Sequence, residues 1–550
     1  MPLNAAKLVV LFLEKQAVEV IFGIPGGHTL AINDALVDSS IRFIPTRHEY
    51  GATCAASAWA RVRGAPGVCL ATCGPGATNL ATGLGAALRD SIPVVAITVN
   101  NTLRDMAWED AQHADAVSIL RPLVKWAHQV RHPDEISASI AEAFRVAMNG
   151  RPGPVLIDFA RDVLERGEAE LAGPAATRLP PPDRPYADPA KVAALLAMIH
   201  KSERPVFWAG NGVRLSGASD ALQKCASLLG VPMLTTFNGI GTVPSSNPLA
   251  FGPRSRVGTK LSNALIKDSD LVVAIGTGLG GVTTSRWTLQ LPHLVQIDIE
   301  PSRIGRRYPV ALGIGADARA TLESLLAAGE ANVASKRSHH GDWIAHCSRL
   351  RDEWKREVAH EEYDALSPMK PQTLIRALAK RGKPNTVWCV DASNCGIWTH
   401  LLPMERGMDY MRPVNFSNMG FGLPAGIGAK VAAPDRDVIV LAGDGGIGMT
   451  MTELETASRL KLDLLIVVMN DHGYGNIRQE QLHKYGPRFN GVDLGEIDFA
   501  LVAQGCGGTG TRATELRELE EAFARAAKHK GPFLIDVLVD PAESVWSHPF

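Results

Sequence analysis

Short apolar runs alternate with amphipathic stretches along most of the chain. In the first part, residues 18–21, 42–45, 67–72 and 93–99 form runs of strand length, separated by segments whose apolar residues recur with helix period. Strands covered on both faces read as nearly unbroken apolar runs, because the crossover helices hide them from water. The pattern therefore predicts a parallel sheet between helical layers. It recurs from Pro205, with strands at 271–275 and 293–299, and again from near Pro371, with strands at 386–390, 438–441 and 464–470. Two breaks separate the blocks: a Pro-, Ala- and Arg-rich stretch at 171–189, which reads as a stiff exposed linker, and a polar stretch at 330–341. The prediction is an α/β chain of three domains, at residues 1–168, 190–330 and 368–546, each a mainly parallel sheet flanked by helices.

Composition narrows the class. A chain of 550 residues, 46% hydrophobic and 21% charged, can bury several cores. Lys and Arg number 56 against 57 Asp and Glu, so no global field favours nucleic acid or an anionic membrane. Small molecules and further copies of the chain are the expected partners. The eight cysteines include no C-x-x-C pair, and the expectation is a reducing, cytoplasmic setting. The apolar run 8–13 stops at Glu14 and Lys15, too short for a membrane span or a secretory leader.

Three segments carry chemistry. Gly443-Asp444-Gly445-Gly446 closes the strand at 438–441 and precedes a helix-forming run at 451–460. Glycine-enabled N–H groups at a strand-to-helix turn form an anion site, and a hard cation is natural beside it. Alone, such a turn is more often structural, its aspartates capping helices. However, 24 residues (446–469) lie between Gly445 and Asn470-Asp471-His472-Gly473-Tyr474-Gly475, at the end of the next strand. Adjacent strand ends of an open sheet share one crevice, so Asp444 and Asp471 can face one metal. Far upstream, Arg47-His48-Glu49-Tyr50-Gly51-Ala52 opens a small-residue helix expected at 52–61, between a Gly-rich loop ending at His28 and the loop Gly74-Pro75-Gly76-Ala77-Thr78-Asn79. The third segment is Asn418-Met419-Gly420-Phe421-Gly422-Leu423-Pro424.

In this order the segments resemble the thiamine-diphosphate (ThDP) enzymes, in which GDG is followed some two dozen residues later by a double Asn. The resemblance runs through nearly the whole chain and is nearest to the acetolactate synthase, benzaldehyde lyase and oxalyl-CoA decarboxylase branch. It implies pyrimidine, central and diphosphate domains, with ThDP and Mg²⁺ as cofactors. Asp444, Asp471 and the Gly473 carbonyl would hold the metal, although Asp471 departs from the usual Asn. Ser393, Asn394, Gly445, Gly446 and Tyr474 would contact the cofactor. Glu49 matches the glutamate that shares a proton with the aminopyrimidine and so activates thiazolium C2; burial, which disfavours a charged carboxylate, suits that task. Met419 matches an apolar wedge that bends the cofactor, for which its soft, adaptable side chain is apt, with the Ser417 carbonyl and Met419 N–H on the pyrimidine. The resemblance further implies a homodimer or homotetramer, each cofactor lying between domains of different subunits.

His28 occupies the position of a pocket histidine in benzaldehyde-lyase-like members, Gln112 that of a pocket glutamine, and Lys125-Trp126-Ala127-His128 is also similar to the lyases. His113, where synthases carry Glu, supplies a second imidazole, ranked after His28 as a proton carrier. Glu480 stands where synthases carry a Trp that shapes the acceptor site, and Gly276-Thr277-Gly278-Leu279-Gly280-Gly281 lacks the arginine expected beside FAD. Cys395 reads as a pocket-wall thiol. The expected activity is a carboligase or lyase on 2-oxo acids or 2-hydroxy ketones, without functional FAD. A simple 2-oxo acid decarboxylase and a non-catalytic ThDP-binding relative are the alternatives. A nicotinamide dehydrogenase is excluded by the lack of GxGxxG after the first strand.

Overall fold

A computed structural model describes residues 3–256, 258–331, 340–359 and 361–543. Each block of apolar runs becomes a six-stranded sheet, and every pairing within the three sheets is parallel. The first sheet is ordered Arg42–Pro45, Val20–Gly23, Gly67–Thr72, Val94–Asn100, Val155–Ala160, Trp126–Val130. The second runs Ala250–Pro253, Met233–Thr235, Pro205–Ala209, Leu271–Ile275, Leu294–Asp298, Leu312–Gly315. The third runs Asp409–Met411, Val387–Val390, Val438–Gly443, Leu464–Asn470, Phe533–Leu538, Thr509–Ala513. An antiparallel pair, Leu3–Asn4 with Glu168–Ala169, ties the start of the first domain to its end. The last three expected residues, through Trp546, and 332–339 of the polar stretch lie outside the described residues.

Numbered by position along the chain, the first and third sheets share the order 2-1-3-4-6-5, whereas the central one is 3-2-1-4-5-6. In such sheets a ligand crevice opens where the order reverses, beyond the carboxyl ends of the strands flanking the reversal. In the third sheet those strands are Val387–Val390 and Val438–Gly443, which lead into Asn394 and Asp444. In the first they are Val20–Gly23 and Gly67–Thr72, which lead into the loops of His28 and Gly74. Topology thus aims the segments of His28, Gly74, Asn394 and Asp444 at crevices.

The first and third domains are joined by the helices Glu49–Arg63 and Gly422–Ala432. A Cβ at Gly428 would fall 2.0 Å from the Ala55 carbonyl oxygen, so only glycine permits this backbone approach. Residues 170–188 are irregular and mostly exposed, as the linker composition predicts, but Arg184 pins them to the Ser216 carbonyl and to Asp317. Among the described residues no helix is long and apolar enough to cross a membrane, and all eight cysteines are free thiols.

Candidate active site

Asp444 begins the helix Asp444–Thr450 rather than preceding one at 451, and is buried. Its Oδ1 accepts from the Gly445 N–H at 2.9 Å and its Oδ2 from the Gly473 N–H at 2.8 Å, so one carboxylate ties the two predicted turns together. Asp471 follows the neighbouring strand; burial first, and the nearby Asp444 second, push its carboxyl up to about 7. Burial also raises Asp444. Arg478 spends Nη2 on Asp493 at 2.7 Å and reaches only the Asp471 carbonyl, at 3.5 Å. A buried carboxylate and a half-buried one that crowd each other make a donor set suited to a hard cation.

The floor of this crevice is built on glycine. A Cβ at Gly475 would lie 1.8 Å from Asp471 Oδ2 and 3.2 Å from Asn394 Nδ2; one at Gly445 would lie 2.7 Å from the Tyr474 ring and 3.3 Å from Met419 Cε. Asp471, Asn394, Tyr474 and Met419 therefore lie around one crevice. Asn394 Oδ1 is buried with no partner, an acceptor awaiting a donor. Gly446 packs against Asp391, whose carboxylate accepts from the N–H groups of Ala392 (2.7 Å), Gly420 (3.0 Å) and Phe421 (3.3 Å) and so fixes the backbone after Met419. Several site residues hold left-handed backbone without being glycine: Ser393 (φ 77°), Ser417 (φ 59°), His472 (φ 51°) and Gln112 (φ 64°). Such shapes persist only where surrounding structure enforces them. Arg412 helps at Ser393, donating to its carbonyl at 3.4 Å. The Cys395 thiol donates to the Ala392 carbonyl at 3.3 Å, and burial raises it far above the ordinary thiol range.

In the first domain, Glu49 starts its helix three residues earlier than expected. His48 caps it, Nδ1 accepting from the Tyr50 N–H at 3.0 Å, and Glu453 of the third domain accepts from the Arg47 and His48 N–H groups at 3.0 and 3.2 Å. Glu49 is 7% exposed, and its Oε2 accepts from Asn79 Nδ2 at 2.9 Å. Across Gly76 lies Thr72, whose Oγ1 is 3.1 Å from His28 Nδ1. The Gln112 carbonyl sits over Gly74, while its side chain is exposed and His113, half-buried, has an unpartnered Nδ1. Glu49, His28 and the Gln112–His113 loop therefore form one continuous wall. His128 lies instead on the edge strand Trp126–Val130, where Nε2 is 3.0 Å from Glu135. Tyr50 crosses to the third domain, donating to the Met419 carbonyl at 2.7 Å and accepting from Asn418 Nδ2 at 2.6 Å.

The roles of Asn79, Glu453, Tyr50 and Asp391 were not read from the sequence. Asn79 lies within a recognised loop, so it was within reach; Glu453 contacts residues some 400 positions away, and no local pattern signals that.

Comparison with known proteins agrees domain by domain. Residues 3–119 match the thiamine pyrophosphate enzyme N-terminal TPP binding domain, 192–325 the central domain, and 391–537 the C-terminal TPP binding domain. The chain belongs to the thiamine pyrophosphate enzyme family. It is 34% identical to a probable acetolactate synthase large subunit of Methanocaldococcus jannaschii, covering 99% of this chain and 93% of that one. It is 33% identical to the acetolactate synthase isozyme 2 large subunit of Escherichia coli K12, covering 99% and 97%. A third relative, at 33%, is the acetolactate synthase large subunit of Corynebacterium glutamicum, with 99% and 88% covered.

As a thiamine pyrophosphate enzyme the chain has a fitting cradle: the unpartnered Asn394 acceptor, a glycine floor with no room for a Cβ, and two mutually repelling carboxylates. Among the described residues no three His, Cys, Asp or Glu side chains converge on a metal, so the remaining ligands of any cation would be carbonyls, water or the cofactor. Two further features lie at the edges of the third and central domains. Glu480 lies 3.6 Å from Arg256 of the central domain and 2.9 Å from Lys484, a charged cluster. A cavity of about 980 Å³ opens at the switch point of the central sheet, with Thr277, Asp298, Arg89, Arg151, Arg303 and Arg307 among its walls. These arginines come from segments distant from 276–281.

Proposed function

We propose that this enzyme joins or splits carbon–carbon bonds beside a carbonyl, acting on 2-oxo acids or 2-hydroxy ketones with ThDP and Mg²⁺. The observation that carries this reading is the buried Glu49, held by Asn79 in the pyrimidine-type domain, in the same chain as the Asp444–Asp471 crevice. Bound ThDP supplies an electron sink for an acyl carbanion equivalent. Glu49 holds and moves the proton at the aminopyrimidine nitrogen. Asp444, Asp471 and the Gly473 carbonyl would hold Mg²⁺, and Met419 would pack against the cofactor with the Ser417 carbonyl beside it. Gly445, Gly446, Tyr474, Ser393 and Asn394 complete the cradle. At the substrate, His28 carries the proton on the alkoxide, with Gln112 and His113 beside it.

The charged cluster at Glu480 supports an acceptor different from that of branched-chain biosynthesis, although the relatives are acetolactate synthases by name. The bond chemistry is redox-neutral, and we propose that turnover needs no flavin; stoichiometric flavin absorbance in the purified protein would overturn that. The working unit is a homodimer or homotetramer, in the cytoplasm. Boundaries at 1–168, 190–330 and 368–546 complete the proposal.

The test is a substrate screen with added ThDP and Mg²⁺ that reads CO₂, aldehyde and acyloin together. Acyloin formation or cleavage supports the reading. Free aldehyde alone would assign a simple decarboxylase, and no turnover with any 2-oxo acid or 2-hydroxy ketone would sink it.

A further inference from the structure

We propose that Asn101 is the positioning residue that sets the tautomer of His28, leaving Nε2 with the free lone pair, and that it locks the Gln112–His113 loop in the same act. The proposal rests on reading His28 as the proton carrier at the substrate.

Asn101 ends the run of the strand Val94–Asn100 and is 3% exposed. Its Nδ2 donates to the Ala111 carbonyl at 3.1 Å. A carbonyl only accepts, so the amide orientation is fixed and Oδ1 faces Cys73 Sγ at 3.3 Å. An amide oxygen also only accepts, so the thiol's single hydrogen points to Asn101. The sulfur then presents lone pairs to His28 Nδ1, 3.5 Å away. Nδ1 thus faces two groups able to accept, this sulfur and Thr72 Oγ1 at 3.1 Å, and we assign it the hydrogen. In a neutral imidazole the other nitrogen is then the acceptor.

The neighbour Asn100 makes this hub stiff. Its Nδ2 donates to Asp158 Oδ2 at 3.1 Å and to the Ala114 carbonyl at 2.9 Å, and its Oδ1 accepts from the Asn101 N–H at 3.0 Å. Asp158 is fully buried and is also held by Thr98 at 2.7 Å and Gln129 at 2.9 Å. The tandem asparagines therefore take the Ala111 and Ala114 carbonyls on either side of Gln112 and His113. The charged and titratable groups facing His28 are Arg161 and Glu165 from the helix Arg161–Arg166, Asp110 from the loop, and Cys73. Burial, then Arg161, hold the imidazole below its ordinary value, while Asn101, Glu165 and Asp110 pull the other way. A neutral ring is the form for which a tautomer matters.

The test is the ¹⁵N spectrum of histidine-labelled protein, with the His28 signals assigned by His28→Asn, alongside the pH profile of kcat/KM. The expected result is Nδ1–H with bare Nε2 in the wild type. Asn101→Leu and Cys73→Ala should mix the tautomers, lower kcat/KM by about tenfold and move the acid limb of the profile; Cys73→Ser, which keeps a donor and an acceptor in place, should restore all three. Should Asn101→Leu fail to fold, Cys73→Ala and Cys73→Ser carry the comparison. Nε2–H in the wild type, or an unchanged tautomer in Cys73→Ala, would overturn the assignment. Wild-type protein with the expected tautomer but no carbon–carbon chemistry would instead refute the proposed reaction and leave this assignment standing.

Discussion

The Tyr50 hydroxyl donates to the Met419 carbonyl at 2.7 Å, so the residue after Glu49 in the first domain holds the wedge segment of the third. Asn418 Nδ2 donates to the same hydroxyl at 2.6 Å. Tyr50→Phe strips a partner from each of these groups, and stranding a buried polar group costs about 1–3 kcal/mol. The expected outcome is a lower Tm with ThDP still bound, and a drop in kcat larger than any change in KM. Unchanged kcat at reduced Tm would show that the contact serves folding alone.

Glu49→Gln keeps the size of the side chain and the contact with Asn79 but removes the titrating carboxyl. The variant should bind ThDP and fail to activate it. Exchange of the thiazolium C2 proton with deuterated water, followed by NMR on enzyme-bound cofactor, reads this without any substrate; wild-type exchange rates in the variant would remove Glu49 from its role.

Gly475→Ala should lose cofactor rather than fold. Its φ is ordinary, but the new methyl falls 1.8 Å from Asp471 Oδ2 and must push the carboxylate out of the crevice. Titration calorimetry with ThDP and Mg²⁺ should show affinity weakened by about tenfold or more, with the Tm of the cofactor-free protein nearly unchanged. Asp471→Asn, by contrast, keeps an oxygen donor and should still bind. Loss of binding in the second variant would contradict the proposed ligand set.

Asp391 and His400 pull stability in opposite directions in mild acid. Burial raises Asp391 from 3.8 to about 6, so between those values the folded state binds more protons and this contribution falls as pH rises. Burial lowers His400 from 6.5 to about 4, so there the unfolded state binds more protons and stability is lost as pH falls. Taken from pH about 7 to about 4, Asp391→Asn should lose Tm more steeply than the wild type, and His400→Asn less steeply. Parallel profiles for the three proteins would refute both assignments.

Strand positions were legible because residues such as those of Val94–Asn100 are buried on both faces and are mostly apolar, Thr98 and Asn100 being the exceptions that pair with Asp158. The glycine-rich turns were legible because space allows nothing larger at Gly445 or Gly475. The start of the Glu49 helix was not, since the backbone leading into it, the N–H groups of Arg47 and His48, is held by Glu453 from another domain. The hub at Asn100 and Asn101 was equally hidden: asparagine at a strand end is ordinary loop chemistry until Asp158, Cys73 and Ala111 are seen around it. The arginine cavity shows the same limit, for its charges come from separate segments of two domains.

The left-handed serine at 393 bears on how this enzyme can be hardened against heat. With φ 77° and ψ −156° it occupies a corner suited to glycine, where strain of about 1–3 kcal/mol is stored. A screen for thermal tolerance would therefore favour Ser393→Gly, and would do so by slackening the segment that presents Asn394. Engineers seeking a robust catalyst should begin with the exposed stretch at 170–188, where stiffening the chain leaves the catalytic backbone as it is.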